Sequence, residues 1–434
     1  MEQYAQMKSS GVSWIQDVPS DWSIRVLFQL VDQVKNKNKD LAEQNLLSLS
    51  YGKIKRKDIN NPEGLLPESF DGYNIIEADD IVLRLTDLQN DHTSLRVGQA
   101  KERGIITSAY TTLRPSSMVN PQYLYYVLHA YDLIKGFYGM GSGVRQGLNF
   151  DEVKTIKVPF PDLSEQNGIA AYLNEQVAQI DTIIEETKAN IEEYKQWKAS
   201  LISEKVLGIS TKDKKESDIE WIAEIPRTWK IEKLKTLFSF GKGLPITKDN
   251  LVDEGAPVIS YGQIHAKYNP GTKVVDEILR YVPETYLASN PDSLVHEGDI
   301  LVADTSEDTA GCGNAVYVDK EMELFAGYHT IILKSINSND NKYLAYLFKT
   351  DAWRSQIRSR VSGVKLFSVS KKILNSVTVI VPPKNEQAII VHELDSKCSD
   401  IESIISEKEA LILDLERYKR SLIYDCVTGK RKVV

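Results

Sequence analysis

The segment Ser10-Gly11-Val12-Ser13-Trp14-Ile15, followed by Pro19, Trp22, Ile24 and Leu27, returns 207 residues later. It then reads Ser217-Asp218-Ile219-Glu220-Trp221-Ile222 with Pro226, Trp229, Ile231 and Leu234. A 434-residue chain that repeats along its length is built from two copies of one unit, so this return decides the architecture. Further on, Asp80-Ile81-Val82 matches Asp299-Ile300-Leu301, and Tyr123-Leu124 matches Tyr343-Leu344. Ser142-Gly143-Val144-Arg145 matches Ser362-Gly363-Val364-Lys365 at an offset of 220, and Glu165-Gln166 matches Glu386-Gln387 at 221. The offset grows only in the middle of each half. The two halves therefore share a scaffold and differ in the content mounted on it.

Each half ends in one long heptad pattern. The first seam runs Leu173, Val177, Ile180, Ile184, Thr187, Ile191, Tyr194, Lys198, Leu201; the second runs Leu394, Cys398, Ile401, Ile405, Lys408, Ile412, Leu415, Lys419, Leu422. Each starts after prolines, Pro159 and Pro161 or Pro382 and Pro383, and stops at a glycine, Gly208 or Gly429. About 40 residues at 1.5 Å each gives a helix of about 60 Å, longer than one domain core requires. Polar seam positions recur in register, Thr187 with Lys408 and Lys198 with Lys419, which favours pairing of the two seams as a coiled coil over two separate surface helices. The regions upstream, roughly 25–160 and 232–381, read as mixed α/β. Short strands are expected at Ile81-Val82-Leu83, Ile300-Leu301-Val302, Tyr110 to Leu113 and Thr330 to Leu333, and helices at Tyr123 to Ile134 and Tyr343 to Ile357. The lysine-rich stretch Ile209 to Glu216 reads as the linker between halves.

Composition narrows the function classes. With 42% hydrophobic and 26% charged residues and no apolar run near the ~20 residues of a membrane span, the chain reads as soluble. No signal peptide is visible before Pro19, and Cys312, Cys398 and Cys426 form neither a C-x-x-C pair nor an even framework, so a cytoplasmic location with reduced thiols is expected. The net charge of −8 is unevenly placed. The two long helices hold nineteen acids and ten bases, leaving the rest of the chain at +1 and free to meet phosphate. Basic clusters stand at Lys35-Asn36-Lys37-Asn38-Lys39 and Lys53-Ile54-Lys55-Arg56-Lys57 beside Tyr51. A sparser set follows at Lys242, Lys248, Tyr261, Gln263, His265 and Lys267.

Two strings imitate catalysis. Asn120-Pro121-Gln122-Tyr123 is one residue from the adenine-binding motif of N6-adenine methyltransferases, and Phe137-Tyr138-Gly139-Met140-Gly141 spells their methyl-donor motif. They stand 17 residues apart, too close for the strands and helices each motif needs, and the second half keeps neither. A proline in the first turn of a helix and a glycine-rich loop at its end explain both. His92, His129, His265, His296, His329 and His392 show no metal-ligand spacing, and neither a phosphate-binding loop nor a nucleophile elbow is present. Asp304 to Asp308 reads as a turn. The sequence describes a binder without chemistry of its own.

The order W-x-x-x-x-P-x-x-W, variable middle, P-x-x-x-E-Q and heptad helix, all twice, resembles the specificity subunit of type I restriction-modification systems over essentially the whole chain. The Trp14/Pro19/Trp22 and Trp221/Pro226/Trp229 sets, Gly298-Asp299-Ile300-Leu301, and Pro382-Pro383 before Glu386-Gln387 carry the resemblance. Asp79-Asp80 stands where the family has glycine-aspartate, so a differently shaped strand start is expected in the first half. The resemblance implies a mixed α/β fold of two similar target recognition domains separated by two long antiparallel coiled-coil helices, with an internal pseudo-two-fold repeat. Its parts would be an N-terminal recognition domain at 1–161, a first long helix at 162–208 and a linker with lead-in segment at 209–231. A C-terminal recognition domain would follow at 232–382, then a second long helix and tail at 383–434. It further implies that the chain binds double-stranded DNA, one half-site per domain, and no membrane. Two modification subunits would dock to transfer methyl to adenine N6, and restriction subunits would join for cleavage. S-adenosylmethionine, ATP and Mg are expected on those partners and none on this chain. A stand-alone DNA methyltransferase and a non-DNA scaffold joining two proteins are the rival readings.

Base reading requires side chains that make paired hydrogen bonds in the major groove, with lysines on phosphates. The candidates in the first half are Lys37, Tyr51, Lys53, Lys55, Arg56, Arg84, Arg145 and Gln146. Those in the second are Lys242, Lys248, Tyr261, Gln263, His265, Thr305 and Lys365.

Overall fold

The computed structural model describes residues 4–60, 69–140, 147–336 and 339–433. The chain forms two compact units. One comprises residues 1–188 with 409–434, the other 189–408, so each long helix gives half of itself to each unit.

Both units open on the same hairpin: Met7–Val12 with Gln16–Pro19, and Lys214–Ile219 with Ile222–Pro226. The lysine-rich stretch expected to be linker therefore ends inside a strand. Lys214, Lys215 and Glu216 lie on this two-stranded ribbon, where Lys215 is half-buried and donates to Trp229 O at 2.7 Å. Next comes a strand pair, Ser23–Val26 with Lys157–Phe160 and Lys230–Lys233 with Thr378–Val381. Each unit then builds an antiparallel four-stranded sheet in the same order. In the first it runs Val31–Gln33, Thr111–Pro115, Ile81–Leu83, Val97–Gln99; in the second, Phe238–Lys242, Thr330–Ser335, Ile300–Ala303, Ala315–Tyr317. The β-rich stretches expected from sequence are the central strands of these sheets, buried on both faces.

The two units differ in their insertions. The first adds the hairpin Leu47–Ser50 with Lys53–Arg56 and the pair Asn74–Ile76 with Gly104–Ile106. The second adds a four-stranded sheet, Arg280–Val282, Ala256–Ile259, Leu324–Ala326, Leu294–Val295, whose middle pair is parallel. This is the drift in offset, seen as structure.

The duplicated motif residues are pins. Trp22 is buried and donates its indole N–H to Glu165 at 2.7 Å; Trp229 is buried and donates to Glu386 at 3.0 Å. Gln166 donates to Pro161 O at 2.9 Å and accepts from Asn120 N at 2.9 Å; Gln387 does the same with Pro382 O at 2.7 Å and Asp340 N at 2.9 Å. Each Glu-Gln pair thus ties its long helix to the buried tryptophan and to the cap of the short helix beside it. A hydrogen bond from a buried donor to a charged acceptor is worth roughly 1.5–3 kcal/mol, which explains the residue types. Asn120 caps Pro121–Leu133 by accepting from Tyr123 N at 2.9 Å, so the adenine-like string is a helix start with proline at its first position. The expected helix over Tyr343–Ile357 is two, Asn341–Phe348 and Asp351–Arg358, because Thr350 adopts an extended backbone and its hydroxyl caps the second by accepting from Trp353 N. Asp79 and Gly298 both adopt positive φ, 72° and 93°, and both lead into an aspartate that accepts from the backbone three residues back. The strand start is the same in both halves, contrary to the expectation from Asp79.

The long helices span Leu163–Val206 and Lys384–Val427, 44 residues each. Within each unit their segments pack antiparallel. In the first, Lys419 donates to Asp181 at 2.6 Å while Arg431 lies over the Tyr172 ring at 5.4 Å. In the second, Lys205 meets Glu393 at 2.8 Å and Lys198 meets Glu402. The recurrent polar seam lysines, Lys198 and Lys419, therefore face carboxylates that are themselves repeat partners, Glu402 and Asp181. Each helix ends on a positive-φ glycine against a proline of the motif: Gly208 against Pro226, Gly429 against Pro19. Cys312, Cys398 and Cys426 are buried and free.

Candidate nucleic-acid interface

The strand register places one basic residue at the same position on both sheets. Gln33 pairs with Leu113, which pairs with Ile81; Phe240 pairs with Leu333, which pairs with Ile300. Two residues past each lie Lys35 and Lys242, both exposed at the sheet end where the central strands turn into loops. Lys35 belongs to the basic cluster of the first half but was not among the candidate readers. Only the register, which sequence does not give, singles it out.

Around that end of the first sheet, Arg84 follows the strand Ile81–Leu83 and is half-buried. The hairpin tip Tyr51-Gly52 has both residues at positive φ, 48° and 74°, and Tyr51 is 75% exposed. Lys53 and Lys55 alternate with Ile54, which packs on the apolar side, so both ammonium groups face water. None of Tyr51, Lys53, Lys55 and Arg84 makes a side-chain hydrogen bond or ion pair among the described residues. Arg56 does: Glu102 holds its guanidinium through Nε at 2.6 Å and keeps its own carboxyl below the usual range. Lys37 spends its ammonium on Gly72 O at 2.8 Å. Arg145 and Gln146, with the Gly143 loop, lie outside the described residues.

Sequence reasoning missed Arg96, which is fully buried. Its guanidinium donates to Thr86 O at 2.9 Å and to Asp91 O, and its Nε donates to Tyr138 OH at 3.2 Å, so it fixes the loop that follows Arg84. An arginine just before a strand gives no sign in sequence of which way it points.

In the second unit Lys242, Lys248 and Lys365 are exposed, with no side-chain partner among the described residues. Tyr261 stands edge-on to His329 at 5.3 Å and to Tyr328 at 5.6 Å. Thr305 donates to Asp304 at 2.7 Å and pairs through its backbone with Ser368, which brings the Gly363–Lys365 loop to the same rim. Two candidates are engaged within the chain. His265 has both ring nitrogens engaged, with Thr305 O at 2.8 Å and Asn314 Nδ2 at 2.9 Å, and so props the rim instead of offering an edge to a ligand. Gln263 uses its side-chain oxygen to cap Ser260 N at 3.2 Å. His329, not among the candidates, sits at positive φ, 56°, with Nδ1 3.1 Å from Asp304 Oδ1. His329 is thus an exposed imidazole held by a carboxylate in a left-handed backbone conformation. A groove of about 550 Å³ runs beside it between Tyr261, Asp308 and Arg354.

Among the described residues, no group of three or more His, Cys, Asp or Glu is placed to hold a metal, and no helix is long and apolar enough to cross a membrane. A duplicated scaffold whose equivalent rims carry unlike side chains defines a two-headed recognition protein. The chain belongs to the family of type I restriction modification DNA specificity domains, matching it over residues 19–193 and again over 226–411. It is a specificity subunit of a type I restriction-modification system, with two DNA-recognition domains. It is 22% identical over 420 residues to the type I restriction enzyme MjaVIII specificity subunit of Methanocaldococcus jannaschii, covering 96% of this chain and 94% of that one. Its fold is similar to a chain solved in work on complex assembly and conformational transition of the type I restriction-modification system. The TM-score there is 0.64 at 13% identity, over 94% of this chain and 98% of that one. It is also similar to the HsdS subunit from Thermoanaerobacter tengcongensis, with TM-score 0.51 and 13% identity, over 95% and 98%.

Proposed function

We propose that the chain reads a bipartite, asymmetric DNA sequence, one half-site per unit, and directs adenine-N6 methylation and cleavage carried out by partner subunits. The observation that carries this reading is the shared sheet end with Lys35 and Lys242 in equivalent register, ringed by loops that differ between units. Equivalent lysines suit the phosphates, which are the same for every sequence, while unlike loops suit unlike bases. In the first unit Lys53 and Lys55 anchor the backbone and Arg84 reads a base edge, guanine being its natural partner. In the second, Lys242, Lys248 and Lys365 take phosphates and the Tyr261–His329–Thr305 rim reads.

The two long helices serve as the spacer. Half-sites about one turn of duplex apart, ~34 Å, need a stiff separator, and a 44-residue helix rising 1.5 Å per residue gives about 66 Å of it. Two modification subunits bind the helices and units, bringing the methyl donor S-adenosylmethionine; restriction subunits bring ATP and Mg. This chain supplies position.

Mapping methylated adenines genome-wide in cells with and without the chain tests this. A bipartite motif should lose its methylation when the chain is deleted. With Lys53 and Lys55 both replaced by alanine, methylation of every such site should fall together. An unchanged methylation map on deletion would overturn the assignment.

A further inference from the structure

Two cavities of the second unit meet at one lysine. The smaller, about 130 Å³, is walled by Asn269, Asn314, Lys349 and Arg354, and no carboxylate lines it. The larger, about 540 Å³, is lined by Lys195, Lys198, Lys267, Lys273 and again Lys349, against only Glu277 and Glu402. Glu402 is already shared, pairing with Lys198 and standing 3.9 Å from Lys273. Lys349 uses one N–H on Pro270 O at 2.5 Å, and Arg354 uses its Nε on Phe348 O at 2.7 Å. Their remaining donors have no acceptor among the described residues. Burial, with the neighbouring cations Lys198 and Arg354, pulls the Lys349 ammonium down to about 8; burial, with Arg358 nearby, pulls the Arg354 guanidinium down to about 10. Such charges are costly unless paired.

The repeat supplies a control. The position of Lys349 is occupied in the first half by His129, which burial holds uncharged and which stacks on Tyr125 at 5.6 Å. The scaffold therefore works with a neutral ring at this place. The charge excess belongs to the second unit, where the carboxylates that act on Lys349 and Arg354 are already engaged: Glu402 with Lys198 and Lys273, and Asp351 with Arg358.

We propose that these adjoining cavities bind a phosphate-bearing small molecule, its phosphoryl group between Lys349 and Arg354 and its remainder in the larger, lysine-lined space. A guanidinium fork and an ammonium together match a doubly charged tetrahedral oxyanion better than a carboxylate. Tyr268, 52% exposed at the wall of the larger cavity, offers a ring face to the organic part. The smaller cavity is far too narrow for a duplex.

Thermal unfolding and calorimetric titration of the full chain with inorganic phosphate, pyrophosphate and adenosine monophosphate, against sodium chloride at matched ionic strength, test this. Pyrophosphate and adenosine monophosphate should raise Tm and bind at least tenfold more tightly than inorganic phosphate, and K349M or R354M should remove the response. K349M removes a half-buried charge together with its hydrogen bond to Pro270 O and should unfold near the wild-type Tm; should it fail to fold, K349Q takes its place. The proposal falls if no phosphate shifts Tm beyond the chloride control, if K349M responds as the wild type does, or if a DNA duplex displaces pyrophosphate. Site-specific methylation plays no part in these readouts, so failure here leaves half-site reading standing.

Discussion

Asp132 and His129 lie one turn apart on the helix Pro121–Leu133, both buried, and each leaves one polar atom without a partner. Burial acts on them in opposite senses. It pushes the Asp132 carboxyl up to about 6, opposed in part by the Arg96 backbone N–H at 2.6 Å, and pushes His129 down to about 4, helped by Lys419. A raised carboxyl favours folding at low pH and loses that contribution as pH rises through about 6. A depressed imidazole favours folding at neutral pH and loses it as pH falls from 6.5 towards 4. The two effects oppose each other within one window, so the first unit should show little net dependence from this pair. Asp132→Asn keeps the acceptor for Arg96 N and removes one side of the balance. Its stability should then fall on acidification from about pH 6.5 to about pH 4.5 by about 2 kcal/mol more than the wild type, as read by urea unfolding. Parallel pH profiles for the two proteins would show that the pair does not titrate this way.

The elements that sequence exposes are those whose reason is local or periodic. Both long helices are legible to within a few residues, because a seven-residue repeat survives any tertiary context. Their ends are legible because glycine is required: Gly429 adopts φ +72°, and a Cβ there would stand 2.2 Å from the Pro19 ring. Gly429→Ala should therefore cost more than conformational preference alone, on the order of 3 kcal/mol. Gly11→Ala, at φ +66° with open space around it, should cost about 1 kcal/mol. Comparable losses in urea unfolding of the two variants would mean that the proline contact contributes nothing. The outer strands are less legible, since a three-residue strand such as Val97–Gln99 carries no alternation when every side chain is buried. The rim was least legible of all. Lys35 and Lys242 become equivalent only through strand register, His329 is oriented by Asp304, and neighbours hold both ring nitrogens of His265 and the side-chain oxygen of Gln263.

At the scale of the whole chain, the repeat separates what must be common from what is free to vary. The tryptophan-to-glutamate bonds, the glutamine pins, the glycine-proline contacts and the sheet order occur in both units, so either middle segment meets the same attachment points. Residues 27–156 should therefore fold in place of 234–377, since both lie between the paired strands that close each unit. The first-unit readers, Lys53, Lys55 and Arg84, would then be present twice, and the Tyr261–His329–Thr305 rim would be gone. If bases are read by the loops and the scaffold reads none, this chimera should direct methylation to sites whose two halves carry the same bases, with the long helices unaltered. Single-molecule sequencing of DNA from cells expressing the chimera with its partner subunits would read the motif directly. Retention of the original asymmetric motif would place base reading in the shared scaffold, and would refute the division of labour inferred from the two rims.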